Sequence, residues 1–171
     1  LTAITSLSGV ARQHFQDSLA LRNAYDLTKI SSLADIGTGA GFPGIPLKIL
    51  FPHLKVYLLE VTKKKLSFLQ EIIEALELED VHCIDLDWRT FLRTTSFEID
   101  LFVTRAAFGD EELIRLFKPS CPYRHVPLVY WASAEWELHK KATAFFDHEF
   151  HYELGRKERR LIFFSRKSDQ L

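Results

Sequence analysis

The sequence predicts an α/β fold with a mostly parallel seven-stranded sheet and an antiparallel edge strand. Three features predict it. Short apolar segments typical of strands alternate with amphipathic segments typical of helices, and a glycine-rich turn follows the first apolar segment. The last two strand-like segments follow each other with no helix between them. The 171 residues, 47% of them hydrophobic, are enough to bury one core. We expect an N-terminal helical segment over residues 1–32 and the α/β domain over residues 33–171.

The elements of the first third alternate between the two types. Residues 9–24 are predicted to be helical, because apolar side chains recur among polar neighbours. Residues 33–37 form the first predicted strand. Residues 44–51 predict a helix, in which Pro46 is tolerated because it falls in the first turn. Residues 55–60 are apolar enough for a strand that is buried on both faces.

The middle of the chain repeats this alternation. Five leucine and isoleucine residues recur at helical spacing in residues 64–78, the clearest helix pattern of the sequence. Residues 81–85 and 99–106 are apolar and predict the third and fourth strands. Residues 110–117 predict a helix, because acidic residues occupy its first turn, where the helix dipole favours negative charge.

The last third predicts the end of the sheet. Residues 127–133 form a fifth predicted strand, and we expect a helix over residues 134–146. Two strand patterns follow, at residues 148–154 and 159–166. Because no helix separates them, they predict an antiparallel pair at the edge of the sheet.

The segment DIGTGAGFPGIP, residues 35–46, contains the strongest functional signal. Gly37, Gly39 and Gly41 follow a strand and precede a helix, and Asp35 stands at the strand end. Glycines allow positive φ and remove side chains from a contact surface, and this edge of a doubly wound sheet is where ligands bind. A plain strand-to-helix turn is the alternative, but it does not require so many glycines.

Two cofactor classes fit such a loop, the dinucleotides and S-adenosylmethionine. The third glycine of the dinucleotide fingerprint lies five residues after the first, whereas Gly41 lies four residues after Gly37. Pro43 and Pro46 also remove N–H donors that a pyrophosphate requires. Glu60, at the end of the second strand, suits the ribose hydroxyls of either cofactor. The spacing therefore favours S-adenosylmethionine.

Composition argues against several other classes. The net charge of −1 gives no overall basic character, although basic clusters occur locally. Cys83 and Cys121 lie far apart without a C-x-x-C pair, which is typical of reduced thiols in a cytoplasmic protein. His148 and His151 would face opposite sides of a strand, so we predict no metal site. No apolar run approaches the about 20 residues of a membrane span.

The glycine segment also resembles a known family. LADIGTGAGFPGIPLKILFP, residues 33–52, followed by VYLLE, is similar to the bacterial methyltransferase of small-subunit (16S) rRNA, also called glucose-inhibited division protein B. Residues 1–21 resemble the upstream part of that family, and FEIDLFVTRA, residues 97–106, resembles its fourth strand. The resemblance covers residues 1–108 well and the remainder weakly. It implies a Rossmann-like, S-adenosylmethionine-dependent enzyme that methylates guanosine N7, and we expect a monomer.

The resemblance also implies roles for individual residues. The cofactor loop comprises Asp35, Gly37, Gly39 and Gly41, Glu60 binds the ribose, and either Asp85 or Asp87 contacts the adenine. Arg105 stands beside the site of methyl transfer as the catalytic residue, where it can hydrogen-bond guanine O6 or a phosphate. The substrate side comprises His14, Asp17 and Ser18.

Three further side chains are candidates from their position alone. Lys64 and Lys65 begin a helix, where the dipole disfavours cations, which favours a phosphate-binding role. Phe42 is the third candidate, because its aromatic ring can stack on adenine or on the target base.

The sequence departs from the family pattern at three places. The family has an R-x-E motif after the third strand, where this sequence has Asp87-Trp88-Arg89. The family has a Lys-Gly pair at the end of the fifth strand, where this sequence has Ala132-Ser133. Residues 156–160 are more basic than is usual in the family. These departures concern the RNA-facing side. A methyltransferase with another RNA or small-molecule substrate and a non-catalytic rRNA-binding or assembly module therefore stay as alternatives. A dinucleotide-dependent oxidoreductase is a third alternative, which the glycine spacing disfavours.

Overall fold

The computed structural model describes residues 11–105 and 109–167. Seven strands form one sheet. They are β1 (Ser32–Ile36), β2 (Lys55–Leu59), β3 (Val81–Ile84), β4 (Leu101–Arg105), β5 (Leu128–Ser133), β6 (Phe146–Leu154) and β7 (Lys157–Phe164). All seven predicted strands are thus confirmed, most of them to within two residues at each end. Residue 106, the predicted end of the fourth strand, lies outside the described residues.

The sheet order is β3-β2-β1-β4-β5-β7-β6. Neighbouring strands from β3 to β5 are parallel, whereas β7 is antiparallel to both β5 and β6. The predicted antiparallel edge is therefore confirmed, with the reversed strand second from the edge and β6 outermost. A tight turn reverses the chain between Leu154 and Lys157, which pair with each other, and Gly155 in that turn has φ +66°.

Helical elements connect the strands. An N-terminal helical segment comprises Ala11–Gln16, Asp17–Leu19 and Ala20–Asn23, whose hydrogen-bond spacing tightens along the chain. The α-helices are α1 (Gly44–Leu50), α2 (Lys63–Ala75), α3 (Trp88–Thr94) and α4 (Asp110–Leu113), and α4 continues as a 3₁₀ turn over Ile114–Phe117. The four helices predicted before residue 120 are confirmed, although residues 9 and 10 lie outside the described part.

Helix α3 was not among the predicted elements. Its N-cap is Asp87, which accepts hydrogen bonds from Thr90 N at 3.0 Å and from Thr90 Oγ1 at 2.6 Å. Trp88, Phe91 and Leu92 are buried on one face of the helix. A capping aspartate followed by apolar residues at this spacing is a readable signal for a short helix.

The predicted helix over residues 134–146 is wrong. Residues 134–139 form a turn and an irregular stretch, a 3₁₀ helix covers Lys140–Phe145, and β6 begins at Phe146. Arg160 on β7 donates hydrogen bonds to the carbonyl oxygens of Ser133, Ala134 and Trp136. Those carbonyls consequently accept hydrogen bonds from a distant strand and not from the backbone N–H groups of a helix. Tertiary contacts therefore override the local helix pattern of residues 134–146.

The core lies in two layers, one on each face of the sheet. The N-terminal helical segment, α1 and α2 pack on one face, and α3 and α4 pack on the other. All five residues of β1 are buried, because β1 is central and covered on both sides. The helices change faces between β1 and β4, which is the topological switch point where an α/β sheet opens a crevice at its carboxyl edge. Within the described residues, none of the helices is both long and apolar enough to span a membrane.

Candidate functional site

The glycine-rich loop leaves the carboxyl end of β1 at the switch point. Gly37, Gly39 and Gly41 have φ of +65°, +62° and +93°. A Cβ at Gly41 would lie 2.4 Å from Ile45 Cδ1, so close packing as well as backbone conformation requires glycine there. A Cβ at Gly39 would meet only Gly37 O, at 4.0 Å. The loop is therefore packed tightly where it enters α1 and open at its tip.

Asp35 lies beneath this loop and is fully buried. Its Oδ2 accepts hydrogen bonds from Thr38 Oγ1 at 2.6 Å and from Gly44 N at 2.8 Å, which closes the loop onto β1. Its Oδ1 is buried without a hydrogen-bond partner among the described residues. Burial raises the pKa of Asp35 to about 6, although both hydrogen bonds and the charge of Arg105 act in the opposite direction.

A cleft of about 430 Å³ opens between the ends of β1, β2 and β4. We call it the central cleft, and its lining residues are Ile36, Gly37, Leu59, Glu60, Val61, Thr62, Lys65, Leu86, Asp87, Trp88 and Arg105. Five residues predicted as site residues therefore share one cavity, namely Gly37, Glu60, Lys65, Asp87 and Arg105. Its volume is within the range of about 300–1,000 Å³ that is usual for small-molecule sites.

Glu60 is the most buried acidic side chain of the central cleft, with 6% of its surface exposed. Its Oε1 accepts hydrogen bonds from the backbone N–H groups of Val61 and Thr62 at 3.1 and 2.9 Å. Its Oε2 lies 3.3 Å from Lys65 Nζ. Burial tends to raise the pKa of Glu60, but these bonds outweigh burial and lower it. Glu60 is consequently a fixed carboxylate whose orientation is set before any ligand binds.

The structure separates the two aspartates proposed for the adenine. Asp87 lines the central cleft, although both of its oxygens already cap α3. Asp85 is exposed, forms an ion pair with Lys63 and is not part of the cleft lining. Asp87 is thus the better placed of the two.

Arg105, at the end of β4, contacts three parts of the N-terminal helical segment. Its Nη2 lies 2.9 Å from His14 Nδ1, and its Nη1 lies 3.2 Å from Gln13 O and 3.4 Å from Asp17 Oδ2. Its guanidinium also lies over the ring of Phe42, 5.3 Å from the centroid. Phe42 stacks on His14 at 4.9 Å, so the ring belongs to the Arg105 cluster rather than to the lining of the central cleft.

Asp17 is buried beneath this cluster. Its oxygens accept hydrogen bonds from Tyr152 Oη, from Arg159 Nε at 3.2 Å and Nη2 at 3.1 Å, and from Arg105. Ser18 is fully buried and donates to His14 O at 2.6 Å. Of the three residues predicted for the substrate side in this segment, only His14 is therefore partly exposed.

The basic clusters have different surroundings. Lys64 is exposed at the start of α2, and Lys65 pairs with Glu60. In the C-terminal cluster, Arg159 is bound to Asp17 and Arg160 to the turn after β5, so both serve internal contacts. Arg89, at the departure after the third strand, pairs with Glu112 of α4 at 2.6 Å.

Sequence reasoning did not find Arg159 and Tyr152 as parts of the site. Both come from the β6–β7 hairpin, which the sequence places far from the N-terminal helical segment. The run of basic residues at 156–160 was the available signal, but it does not say which of them faces Asp17.

Comparison with known proteins agrees with this geometry. The family model for GidB, rRNA small subunit methyltransferase G, matches residues 1–162. The chain belongs to this family. The match continues well past residue 108, where the recognisable resemblance of motifs weakens, and it includes most of the β6–β7 hairpin.

Individual relatives carry the same name. Ribosomal RNA small subunit methyltransferase G of Listeria monocytogenes is 48% identical over 121 residues, which are 70% of this chain and 51% of that protein. The protein of that name from Lachnoclostridium phytofermentans is 40% identical over 121 residues, 70% of this chain and 50% of its own length. The chain thus spans about half the length of these curated relatives.

Solved structures support the fold. A mutant of MtNAS in complex with S-adenosylmethionine has a TM-score of 0.69 at 16% identity, covering 94% of this chain and 66% of that chain. TrmN from Thermus thermophilus has a TM-score of 0.63 at 21% identity, covering 90% of this chain and 48% of that chain. The predicted Rossmann-like methyltransferase fold is confirmed.

Proposed function

We propose that this protein transfers a methyl group from S-adenosylmethionine to guanosine N7 of small-subunit rRNA. The observation that carries the proposal is the family match together with a central cleft that has Glu60 on one side and Arg105 on the other. The ribosomal substrate places the reaction in the cytoplasm, and we propose that the protein acts there as a monomer.

The space, the hydrogen-bond acceptors and the charge at the cleft suit S-adenosylmethionine. The open tip at Gly39 leaves room for a ligand against the loop, and Glu60 offers a fixed acceptor to a pair of hydroxyl groups. Asp35, with one buried oxygen that has no partner among the described residues, places negative charge beneath the loop, which favours a ligand that carries a sulfonium and an amino group. Gly37, Glu60 and Asp87 are the residues that would hold the cofactor.

The chemistry requires little from the protein beyond alignment. The bound cofactor supplies an activated methyl group on sulfur. Guanine N7 has a free lone pair at neutral pH, so no general base has to remove a proton. Arg105 orients the base or a neighbouring phosphate, while the buried ring of Trp88 in the lining of the cleft limits the access of water. Alignment of guanine N7 with the methyl group and the sulfur supplies most of the catalysis.

Transfer of labelled methyl from S-adenosylmethionine to small ribosomal subunits that lack the modification tests this function. We expect label in the rRNA, at a guanosine N7 that mapping would identify. Gly39→Arg introduces a long side chain at positive φ in the open tip of the loop, and we expect it to reduce transfer at least tenfold.

Ser120→Arg is the matched control, because it adds the same side chain at an exposed turn outside the lining of the cleft. It should transfer methyl at the wild-type rate. Cofactor binding without any transfer to rRNA would contradict the proposal and favour another substrate or a non-catalytic module.

Cofactor affinity is expected to depend on pH through Asp35. The pKa of Asp35 is raised to about 6 in the folded protein, so the folded protein binds the carboxyl proton more tightly than the unfolded chain does. The free energy of unfolding therefore falls as the pH rises from about 4 through 6. A cationic ligand favours the ionised carboxylate. Affinity for S-adenosylmethionine should therefore rise as the pH rises through about 6, as measured by calorimetric titration at several pH values.

Asp35→Asn removes the titrating group and keeps the size of the side chain. This variant should bind the cofactor with little change in affinity across the same interval, whereas Asp85→Asn on the surface should keep the wild-type dependence. An unchanged pH dependence in Asp35→Asn would assign the effect to another group.

A further inference from the structure

A second pocket lies beside the central cleft. It has a volume of about 210 Å³ and is lined by Gln13, His14, Asp17, Arg105, Leu154, Lys157 and Arg159. Arg105 lines both cavities, so it forms the partition between them. The second pocket is therefore within reach of groups that adjoin a nucleotide bound at Arg105.

The second pocket is positively charged. Arg105, Lys157 and Arg159 contribute three cations, and Asp17 is the only carboxylate among the lining residues that the structure describes. Burial lowers the pKa of Arg105, the charges of Asp17 and Asp35 act to raise it, and the positive charge of Arg159 acts in the same direction as burial. An anion between these groups would remove that repulsion.

Hydrogen-bond donors remain available there. Asp17 accepts hydrogen bonds from Arg159 Nε and Nη2, which leaves the guanidinium with further N–H groups, although Tyr152 also lies within hydrogen-bond reach of it. Lys157 is exposed at the start of β7 and forms none of the ion pairs found among these residues. The two hydrogen bonds to Asp17 also fix the orientation of the Arg159 guanidinium, so that little side-chain entropy is lost when an anion binds.

We propose that the second pocket binds a backbone phosphate of the RNA substrate, with Lys157 and Arg159 as ligands beside Arg105. This inference rests on the proposed function and adds a subsite to it. Guanidinium groups donate two hydrogen bonds to a phosphate in one plane, and a lysine adds a mobile point charge. The phosphate then anchors the strand while Arg105 faces the nucleotide that accepts the methyl group.

Lys157→Gln tests the subsite with least risk to the fold, because Lys157 is exposed and lies outside the Asp17 network. The control is Lys55→Gln, which removes the same charge from an exposed position at the amino end of β2. Binding of protein-free small-subunit rRNA is measured from about 50 to 200 mM salt, together with S-adenosylmethionine affinity and methyl transfer.

We expect Lys157→Gln to weaken RNA binding about three- to tenfold and to reduce the slope of log K against log salt by about one. Lys157→Arg should restore both, and cofactor affinity should not change. If Lys157→Gln affects RNA binding no more than Lys55→Gln, the subsite is refuted, while methyl transfer by the wild-type protein still supports the proposed function. If the wild-type protein transfers no methyl to rRNA, the proposed function fails, and the subsite with it.

Discussion

Replacement of Asp17 by asparagine is expected to lower the free energy of unfolding by about 3–5 kcal/mol. The side chain is 3% exposed and neutralises the guanidinium groups of both Arg105 and Arg159. Its loss leaves two largely buried cations that repel each other without a carboxylate. It also removes the bonds that tie the N-terminal helical segment to β4 and to the β6–β7 hairpin.

Urea-induced unfolding of the variant and the wild-type protein measures this effect. Asp85→Asn serves as the matched control, because Asp85 forms an exposed ion pair with Lys63, and such pairs contribute about 0–1 kcal/mol. A loss in Asp17→Asn no larger than in Asp85→Asn would show that Asp17 does not hold these three elements together.

Replacement of Arg105 by lysine is expected to lower kcat/KM for methyl transfer about 100-fold, which is typical for the loss of a positioned donor. The guanidinium contacts Gln13, His14 and Asp17 at once while it lines both cavities. An ammonium group is a single point charge and cannot keep that planar arrangement. Positive charge is retained, so the loss measures geometry rather than charge.

Several readouts distinguish this role from a structural one. The free energy of unfolding should change much less than in Asp17→Asn, because Arg159 still neutralises Asp17 through two hydrogen bonds. The loss should lie mainly in kcat, with S-adenosylmethionine affinity reduced less than tenfold. Arg93→Lys, at an exposed position on α3, should behave as wild type. Activity of Arg105→Lys within a few-fold of wild type would exclude a positioning role for the guanidinium.

The positions of the strands and of the ligand loop were largely predictable because their signals are local. Apolar runs of strand length, the glycines after β1 and the uninterrupted pair of terminal strands each depend on neighbouring residues. The same locality explains the errors. The helix predicted over residues 134–146 fails because Arg160, a distant residue, donates hydrogen bonds to the carbonyls of Ala134 and Trp136 in that segment. Helix α3 was missed although its capping aspartate and apolar spacing were readable.

The candidate site was predictable only in part. Glu60 and Asp87 follow strand ends, and Arg105 is the last residue of β4. Because the carboxyl ends of parallel strands meet at one edge of the sheet, the convergence of these residues follows from topology. Their individual hydrogen bonds do not. The sequence could not tell that Asp87 caps α3, that Asp85 pairs with Lys63, or that Phe42 stacks on His14.

The sequence alone determined the fold class, the position of the cofactor loop and the preference for S-adenosylmethionine over a dinucleotide, because glycine spacing and strand periodicity are properties of short segments. Only the tertiary structure decided that Asp17 lies between Arg105 and Arg159, that Asp35 supports the loop from below, and that a basic pocket adjoins the central cleft. Arg159 follows Asp17 by 142 positions. Such a pair forms through the register of β7 on β5 and the packing of the N-terminal helical segment, and no local pattern specifies either one.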